Sequence, residues 1–263
     1  MQRNARLTQE GMRITTLGTA SHYPRTGDAN SSFLIESRQA RVWVDAGSGS
    51  LAALLAHIPL EELDAVWISH THADHFSDLA VTFYALRYAD ISLPPLPVFG
   101  PPRWAERLRA VLTHTSAPSP IEDAFEVHEV GDGLTAMMGD LELTAFEVLH
   151  DAPCFGVRAS ADGLVVGYTG DTGPCRRVAE LAGGVDLLIS EAGYGLVAPH
   201  EQPVHLIAPQ AGAVAADARA ARLLLTHLAG ADIDGCVAAA EAAGARGVVG
   251  ARPGLVVELP SER

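Results

Sequence analysis

The stretch Ser69-His70-Thr71-His72-Ala73-Asp74-His75 constrains this chain more than any other. Four side chains able to bind a metal fall between His70 and His75. The preceding run, Ala65-Val66-Trp67-Ile68, is apolar and β-prone, so it reads as a buried strand. From His75 to Tyr88 the pattern is helical, with Leu79, Phe83 and Leu86 at three- to four-residue steps. The histidines therefore sit in a tight loop at the carboxyl end of a strand, where open α/β sheets place their sites. In an extended segment His70 and His72 point the same way. Asp74 and His75 follow as the chain turns and can face a second ion.

Three more candidates follow β-prone runs. His150 comes after Leu141–Leu149, Asp171 after Leu164–Tyr168, and His227 after Arg222–Leu225. All three can converge on one edge of the sheets. Seven such ligands are too many for one ion and suit two. The favoured assignment gives one ion His70, His72 and His150, and the other Asp74, His75 and His227, with Asp171 bridging. Imidazole and carboxylate donors fit two divalent ions, zinc first, with manganese or iron also compatible. Such a pair activates a water and clamps a developing anion.

Composition limits what such a site can serve. The 263 residues suit a short N-terminal extension over 1–11 and one domain over 12–263. The net charge is −14, every one of the 18 basic residues is arginine, and no basic block exists. A long nucleic-acid footprint is therefore not expected. Cys154, Cys175 and Cys236 are scattered and odd in number, so they form no disulfide scaffold, and Cys154 and Cys175 read as small buried apolar groups. No apolar leader and no run of about 18 apolar residues is present, so the expectation is a cytoplasmic protein without a membrane anchor.

Along the chain, strands are expected at 13–17, 33–36, 41–44, 98–99, 125–130, near 134, at 155–159, 185–189, 247–249 and 255–258. Helices are expected at 50–57, 101–112, 176–182, 210–218 and 232–243. The segment 18–32 reads as a long polar loop containing His22, and Ala161-Asp162-Gly163 as a hairpin turn. Two β-rich halves with helices, and no composition break between them, predict two mixed sheets face to face with helices outside.

At this point the chain resembles the metallo-β-lactamase fold superfamily, in its ribonuclease Z-like branch. The resemblance rests on VDAG at 44–47, HTHADH at 70–75, the isolated His150, TGDT at 169–172 and LLLTH at 223–227. It implies a four-layer αββα sandwich with a dinuclear site between the sheets at one edge. It also implies that Asp45 steadies a ligand loop or ligand histidine. The segment His205–His227 is similar to the C-terminal pattern of bacterial cyclic-nucleotide phosphodiesterases of this branch. That likeness implies a catalytic role for His205 near the leaving oxygen, with Glu191 positioned to hold it. Asp74 would orient the nucleophile. His200 is a weaker candidate for a catalytic role, and His22 is the candidate substrate contact.

Transfer-RNA-processing members carry a long arm between the positions matching His150 and Asp171. Here these lie 21 positions apart, and a hairpin uses up the interval. The expected substrate is therefore a small anionic phosphodiester, with a 3′,5′-cyclic nucleotide as the leading choice. A ribosyl 1,2-cyclic phosphate or a ribonuclease Z-like reaction is the alternative. Thioester, lactone or β-lactam hydrolysis on the same fold, and a non-enzymatic metal-stabilised sensor or scaffold, are the readings from other classes. No membrane partner is expected, and a homodimer stays open.

Overall fold

The computed structural model describes residues 6–88, 93–113, 117–199, 203–228 and 230–261. His114, His200 and the first five residues of the N-terminal extension lie outside them.

The strands are β1 (Gly11–Ala20), β2 (Ala29–Asn30), β3 (Ser32–Glu36), β4 (Arg41–Val44), β5 (Ala65–Trp67), β6 (Leu96–Gly100), β7 (Phe125–Glu129), β8 (Thr135–Met138), β9 (Leu141–Val148), β10 (Cys154–Ala161), β11 (Leu164–Tyr168), β12 (Leu187–Glu191), β13 (Leu223–Thr226), β14 (Val248–Gly250) and β15 (Val256–Pro260). The helices are α1 (Ser50–Leu55), α2 (Ala73–Phe76), α3 (Asp78–Tyr88), α4 (Trp104–Leu112), α5 (Arg176–Leu181), α6 (Ala208–Asp217) and α7 (Ile233–Ala242).

One sheet runs β15-β1-β3-β4-β5-β6-β7, with β2 added beside β1; the other runs β14-β13-β12-β11-β10-β9-β8. Each has a parallel block, β4 to β7 in the first and β11 to β14 in the second. Every residue of β3, β4 and β5 is buried, as strands covered on both faces must be.

Three apolar clusters account for the layers. Met12, Phe33, Val44, Trp67, Tyr168 and Leu224 belong to the core between the sheets. Leu54 of α1, Leu79 and Phe83 of α3 and Leu108 of α4 cover the outer face of the first sheet. Leu181 of α5, Ala211 and Ala215 of α6 and Ala240 of α7 cover the second. The four-layer αββα sandwich expected of this α/β chain is the one observed. Trp67 Nε1 donates to the Phe155 carbonyl across the two sheets at 3.2 Å.

Local differences from the expected elements have physical causes. The polar segment 18–32 is not all loop: β1 continues to Ala20 and pairs with Ala29, Asn30 and Ser32. Tertiary pairing overrides the low β-preference of Gly and Ser there. The helix expected from His75 is two helices, with α2 ending before Ser77 and α3 starting at Asp78. The Asp78 amide donates to the Ala46 carbonyl at 2.8 Å, which ties the junction to the loop after β4. The 161–163 turn forms as expected, with Asp162 at φ +51° and Gly163 at φ +79°.

The topology decides where chemistry can gather. β4 and β5 of one sheet and β11, β12 and β13 of the other end near one edge. The next residues are Asp45, the 69–75 loop, Asp171, the end of β12 at Glu191, and His227.

Candidate metal centre

The 69–75 loop is held in shape from below. Asp45 is fully buried at φ +58°, and its carboxylate accepts from the Ser69 amide at 2.7 Å and the Ser69 hydroxyl at 2.8 Å. Gly47 lets the ligand loop approach, because a Cβ there would lie 2.0 Å from the Asp74 carbonyl oxygen.

The seven residues expected from sequence as ligands come together. His70, His72 and His150 form one set, with ligand atoms all within 4.8 Å of one another. His70 Nε2 lies 3.1 Å from His72 Nδ1, and His150 Nε2 lies 3.2 Å from the same atom. Asp74, His75 and His227 form a second set. Asp171 lies between them: Oδ1 is 3.3 Å from His75 Nε2, while Oδ2 is 3.3 Å from His227 Nε2 and 3.7 Å from His70 Nε2.

Each histidine has its other nitrogen engaged, which fixes ring orientation as in known metal sites. His75 Nδ1 meets Asp45 Oδ2 at 2.7 Å. His150 Nδ1 meets the Val204 carbonyl at 3.0 Å, His70 Nδ1 the Ser69 hydroxyl at 3.0 Å, and His227 Nδ1 the Ser31 hydroxyl at 2.8 Å. His72 Nε2 has the exposed Asp151 carboxylate at 3.5 Å, and the same oxygen lies 3.1 Å from His150 Nε2.

These arrangements fit cations. His75 Nε2 and Asp171 Oδ1 are buried without a hydrogen-bond partner among the described residues, although they face each other. Three imidazole nitrogens crowd together in the first set, where at most a proton or two could be shared. Imidazole and carboxylate donors in two adjoining sets suit two divalent ions.

Electrostatics agree. Burial pushes His70 well below its ordinary pKa. Burial also lowers His227, to about 4. His75 goes the other way: burial opposes protonation, but Asp171 and Asp45 outweigh it and hold the ring well above the ordinary histidine value. Burial would raise Asp171, yet His227 and His75 hold it well below the carboxylate range. Protons on His75 thus stand where an ion would supply the positive charge.

Beside the two sets lies the pair expected from the resemblance. His205 Nδ1 is 3.1 Å from Glu191 Oε1 and 3.9 Å from Asp171 Oδ2. Glu191 is buried and also accepts from the amides of Thr172, Gly193 and Leu206. Burial alone would lower His205, but Glu191 raises it to about 9. A Cβ on Gly193 would fall 3.0 Å from His205 Nδ1 and 3.1 Å from Glu191 Oε2, so a larger residue there would press on this pair.

His22 is at the site, but its closest tie is through the backbone. Its amide donates to Asp74 Oδ2 at 2.8 Å, its ring is exposed, and φ is +64°. Sequence reasoning does not reach Ser31, Tyr168 or Asp151. Tyr168 donates to Asp45 Oδ2 at 2.6 Å from the opposite sheet. The adjacency of Asp151 to His150 is the one signal that could have pointed to it.

The family profile of the β-lactamase superfamily domain matches residues 40–228. An uncharacterised protein of Mycobacterium tuberculosis is 33% identical over 229 residues, covering 84% of this chain and 82% of that protein. A ribonuclease Z of Mycolicibacterium gilvum is 31% identical over 196 residues, 67% of each chain. The crystal structure of the metallo-β-lactamase fold protein YhfI of Bacillus subtilis superposes with a TM-score of 0.80 at 26% identity, over 95% of this chain and 100% of that one. Human short-form tRNase Z superposes at 0.73 with 21% identity, covering 94% and 99%. A diphosphatase of the PhnP family also gives 0.73, at 18% identity, covering 94% and 97%. The motif loop, the paired ligand sets and these likenesses converge: the chain belongs to the β-lactamase superfamily, as a metal-dependent hydrolase with a dinuclear metal-binding site, related to the branch that includes ribonuclease Z.

Proposed function

We propose that this protein hydrolyses phosphodiesters of small molecules. The observation that carries the reading is Asp171, whose Oδ1 faces His75 and whose Oδ2 faces both His227 and His70, so that it adjoins both ligand sets, with the His205–Glu191 pair immediately beside it. In the proposed assignment His70, His72 and His150 hold one ion and Asp74, His75 and His227 the other, with Asp171 shared. Two divalent ions bound there would supply Lewis acidity toward phosphoryl oxygens and an activated water. Their field would outweigh the acidic surface for a small anionic ester.

The chain's own residues supply the remainder. Asp74, fixed by the His22 amide, is placed to orient the attacking water. His205, kept protonated by Glu191, is a proton donor for the leaving oxygen. The ring of His22 is proposed as a contact to the non-reacting part of the substrate.

The small-substrate reading rests on the His150–Asp171 interval, which β10 and β11 fill as a hairpin. The relatives described as ribonuclease Z, tRNase Z and diphosphatase support attack at phosphorus in general. That support leans toward a ribosyl cyclic phosphate or a ribonuclease Z-like reaction more than toward a 3′,5′-cyclic nucleotide.

The test is a panel with defined metal: 3′,5′-cyclic AMP and GMP, 2′,3′-cyclic nucleotides, a ribosyl 1,2-cyclic phosphate, a precursor transfer RNA, a thioester and a lactone. Turnover of a small diester is expected. Turnover confined to the thioester or lactone would overturn phosphodiester chemistry. Strong turnover of transfer RNA alone would overturn the small-substrate reading.

A further inference from the structure

β1 ends at Ala20, and the next residue brings to the metal centre a hydroxyl that the scheme above does not use. Ser21 is only 1% exposed. Its Oγ lies 2.9 Å from His227 Nε2 and 3.2 Å from His22 Nδ1. The backbone around it is fixed. The Ala20 carbonyl accepts from the Asn30 side-chain amide and the Ser31 backbone amide, both at 3.1 Å. The Ser21 carbonyl accepts from the Tyr23 amide at 2.9 Å.

His227 has a serine at each ring nitrogen, and the two serines are not equivalent. Ser31 Oγ lies 2.8 Å from Nδ1. Ser21 meets Nε2, the nitrogen that lies 3.3 Å from Asp171 Oδ2 and 3.9 Å from Asp74 Oδ2. Ser21 Oγ is therefore nearer the ligand nitrogen than either carboxylate is. His227 itself stands at φ +60°, which a residue with a Cβ seldom adopts.

The Ser21 contact is compatible with a vacant His227 nitrogen and not with a coordinated one. An imidazole nitrogen bound to an ion has no proton to donate and no lone pair left to accept with. Loading the Asp74, His75 and His227 position thus takes from Ser21 its partner at Nε2 and leaves a buried hydroxyl beside the ion. Two ligand atoms each about 2.1 Å from one ion, and at right angles, lie about 3.0 Å apart. The 2.9 Å from Ser21 Oγ to His227 Nε2 matches that spacing. Serine and threonine hydroxyls hold Mg²⁺ in nucleotide-binding loops, so a neutral hydroxyl suffices as a donor. Its proton has His22 Nδ1 as an acceptor at 3.2 Å.

We propose that Ser21 Oγ is a further ligand of the ion held by Asp74, His75 and His227. This rests on the two-ion assignment and deepens it, because it makes the two positions chemically unequal. One has three imidazoles and a share of Asp171. The other has two imidazoles and oxygens from Asp74, Asp171 and Ser21. Oxygen donors favour harder ions, so the Ser21 position suits manganese better than the three-histidine position does.

The experiment reads coordination directly, without turnover. Cobalt(II) is loaded into the unaltered protein, Ser21→Cys and Ser31→Cys, with ion content measured by elemental analysis. Ser21→Cys should gain a thiolate-to-cobalt charge-transfer band in the near ultraviolet, seen as a difference from the unaltered protein. Ser31→Cys, at the other nitrogen of the same ring, should not. No band in Ser21→Cys holding two ions overturns the proposal, and so does an equal band in Ser31→Cys. A saturating content of one ion in the unaltered protein overturns the two-ion assignment and this ligand with it. Ser21→Ala gives a second measurement that needs no thiol. Chelator competition should show manganese weakened about tenfold at the Asp74, His75 and His227 position, with zinc less affected there and the three-histidine position unchanged. Unchanged manganese affinity overturns the proposal. Equal losses for manganese and zinc would make Ser21 a support for the His227 ring and overturn its role as a ligand.

Discussion

Asp45 and His75 meet at 2.7 Å, and that contact leaves His75 Nε2 facing Asp171. The same Asp45 oxygen accepts from Tyr168, which comes from the opposite sheet. One carboxylate therefore joins the two halves of the sandwich directly behind a ring of the candidate metal centre. Its neighbours Ser69 and Tyr168 donate to it, so Asp45 remains an acceptor for the His75 Nδ1 proton.

Removing that carboxylate should be felt in both metal binding and folding. Asp45→Ala strands the Ser69 amide and the Tyr168 hydroxyl in a dry interior, at a cost of roughly 3 kcal/mol. Affinity at the Asp74/His75/His227 position should fall about 10- to 100-fold. Tyr168→Phe keeps the carboxylate and should show a smaller loss of affinity. Chelator-competition titration and thermal unfolding measure the two effects. Unchanged affinity in a folded Asp45→Ala protein would remove Asp45 from the site.

Asp171 is predicted to serve both positions, and its loss should differ from that of His205. Reconstituted protein should bind two ions per chain by elemental analysis. Asp171→Ala should bring this to one or below. His205→Ala should keep both ions while slowing turnover by about 10²-fold or more. A His205→Ala protein that has lost an ion would show that His205 is a ligand.

Metal binding should release protons. In the metal-free protein Asp171 and Asp45 hold His75 protonated well above the ordinary histidine pKa, and a metal ligand must give that proton up. Calorimetric titrations in buffers of different ionisation enthalpy should reveal release of about one proton with the ion at His75. Affinity should weaken as the pH is lowered. Loading should raise the melting temperature of the chelator-treated protein, because the ions bind only the folded chain. A pH-independent affinity would contradict the protonated His75.

How much of this was legible in the sequence depends on how far apart the partners lie. His70, His72, Asp74 and His75 are close in sequence, so one strand-to-helix junction sets their geometry. His150, Asp171 and His227 each follow a β-prone run, which sufficed to place them at strand ends. The groups that steady the rings come from elsewhere. Ser31 reaches His227 across 196 positions and Tyr168 reaches Asp45 across 123. No local pattern marks a serine or tyrosine for such a role. Likewise the polar Gly18–Ala20 segment carries no strand signal of its own, and only its neighbours in the sheet make it one. The Glu191–His205 contact was anticipated from resemblance, not from spacing.

The His205–Glu191 pair gives a pH dependence with a definite sign. His205 is raised from 6.5 to about 9, so its protonated form is favoured in the folded chain. The stabilisation is fully present below about pH 6.5 and disappears as the pH rises through about 9. If protonated His205 serves the leaving oxygen, activity should decline over the same alkaline limb. Glu191→Gln removes the charge that raises it, so the limb should move toward 6.5. An imidazole NMR titration of metal-free protein and a pH–rate profile of loaded protein are the measurements. An alkaline limb that stays in place in Glu191→Gln would assign it to another group.

His22 allows the backbone and the ring to be separated. Its amide holds Asp74 Oδ2, whereas its ring is exposed and lies 6.3 Å from that of His227. The residue also sits at φ +64°, where a Cβ is strained and glycine is not. His22→Gly should therefore keep the amide contact and bind both ions. His22→Pro should fail on two counts, since proline lacks the N–H and cannot adopt a positive φ. Its affinity for the ion at Asp74 should drop about tenfold or more, read by chelator competition, with the three-histidine position less affected. His22→Ala keeps the amide but reintroduces the strained Cβ, so it tests the ring without relieving the backbone. A higher KM in both His22→Gly and His22→Ala, with two ions bound, would assign the ring to substrate. Loss of an ion in His22→Ala would instead make the ring part of the metal environment.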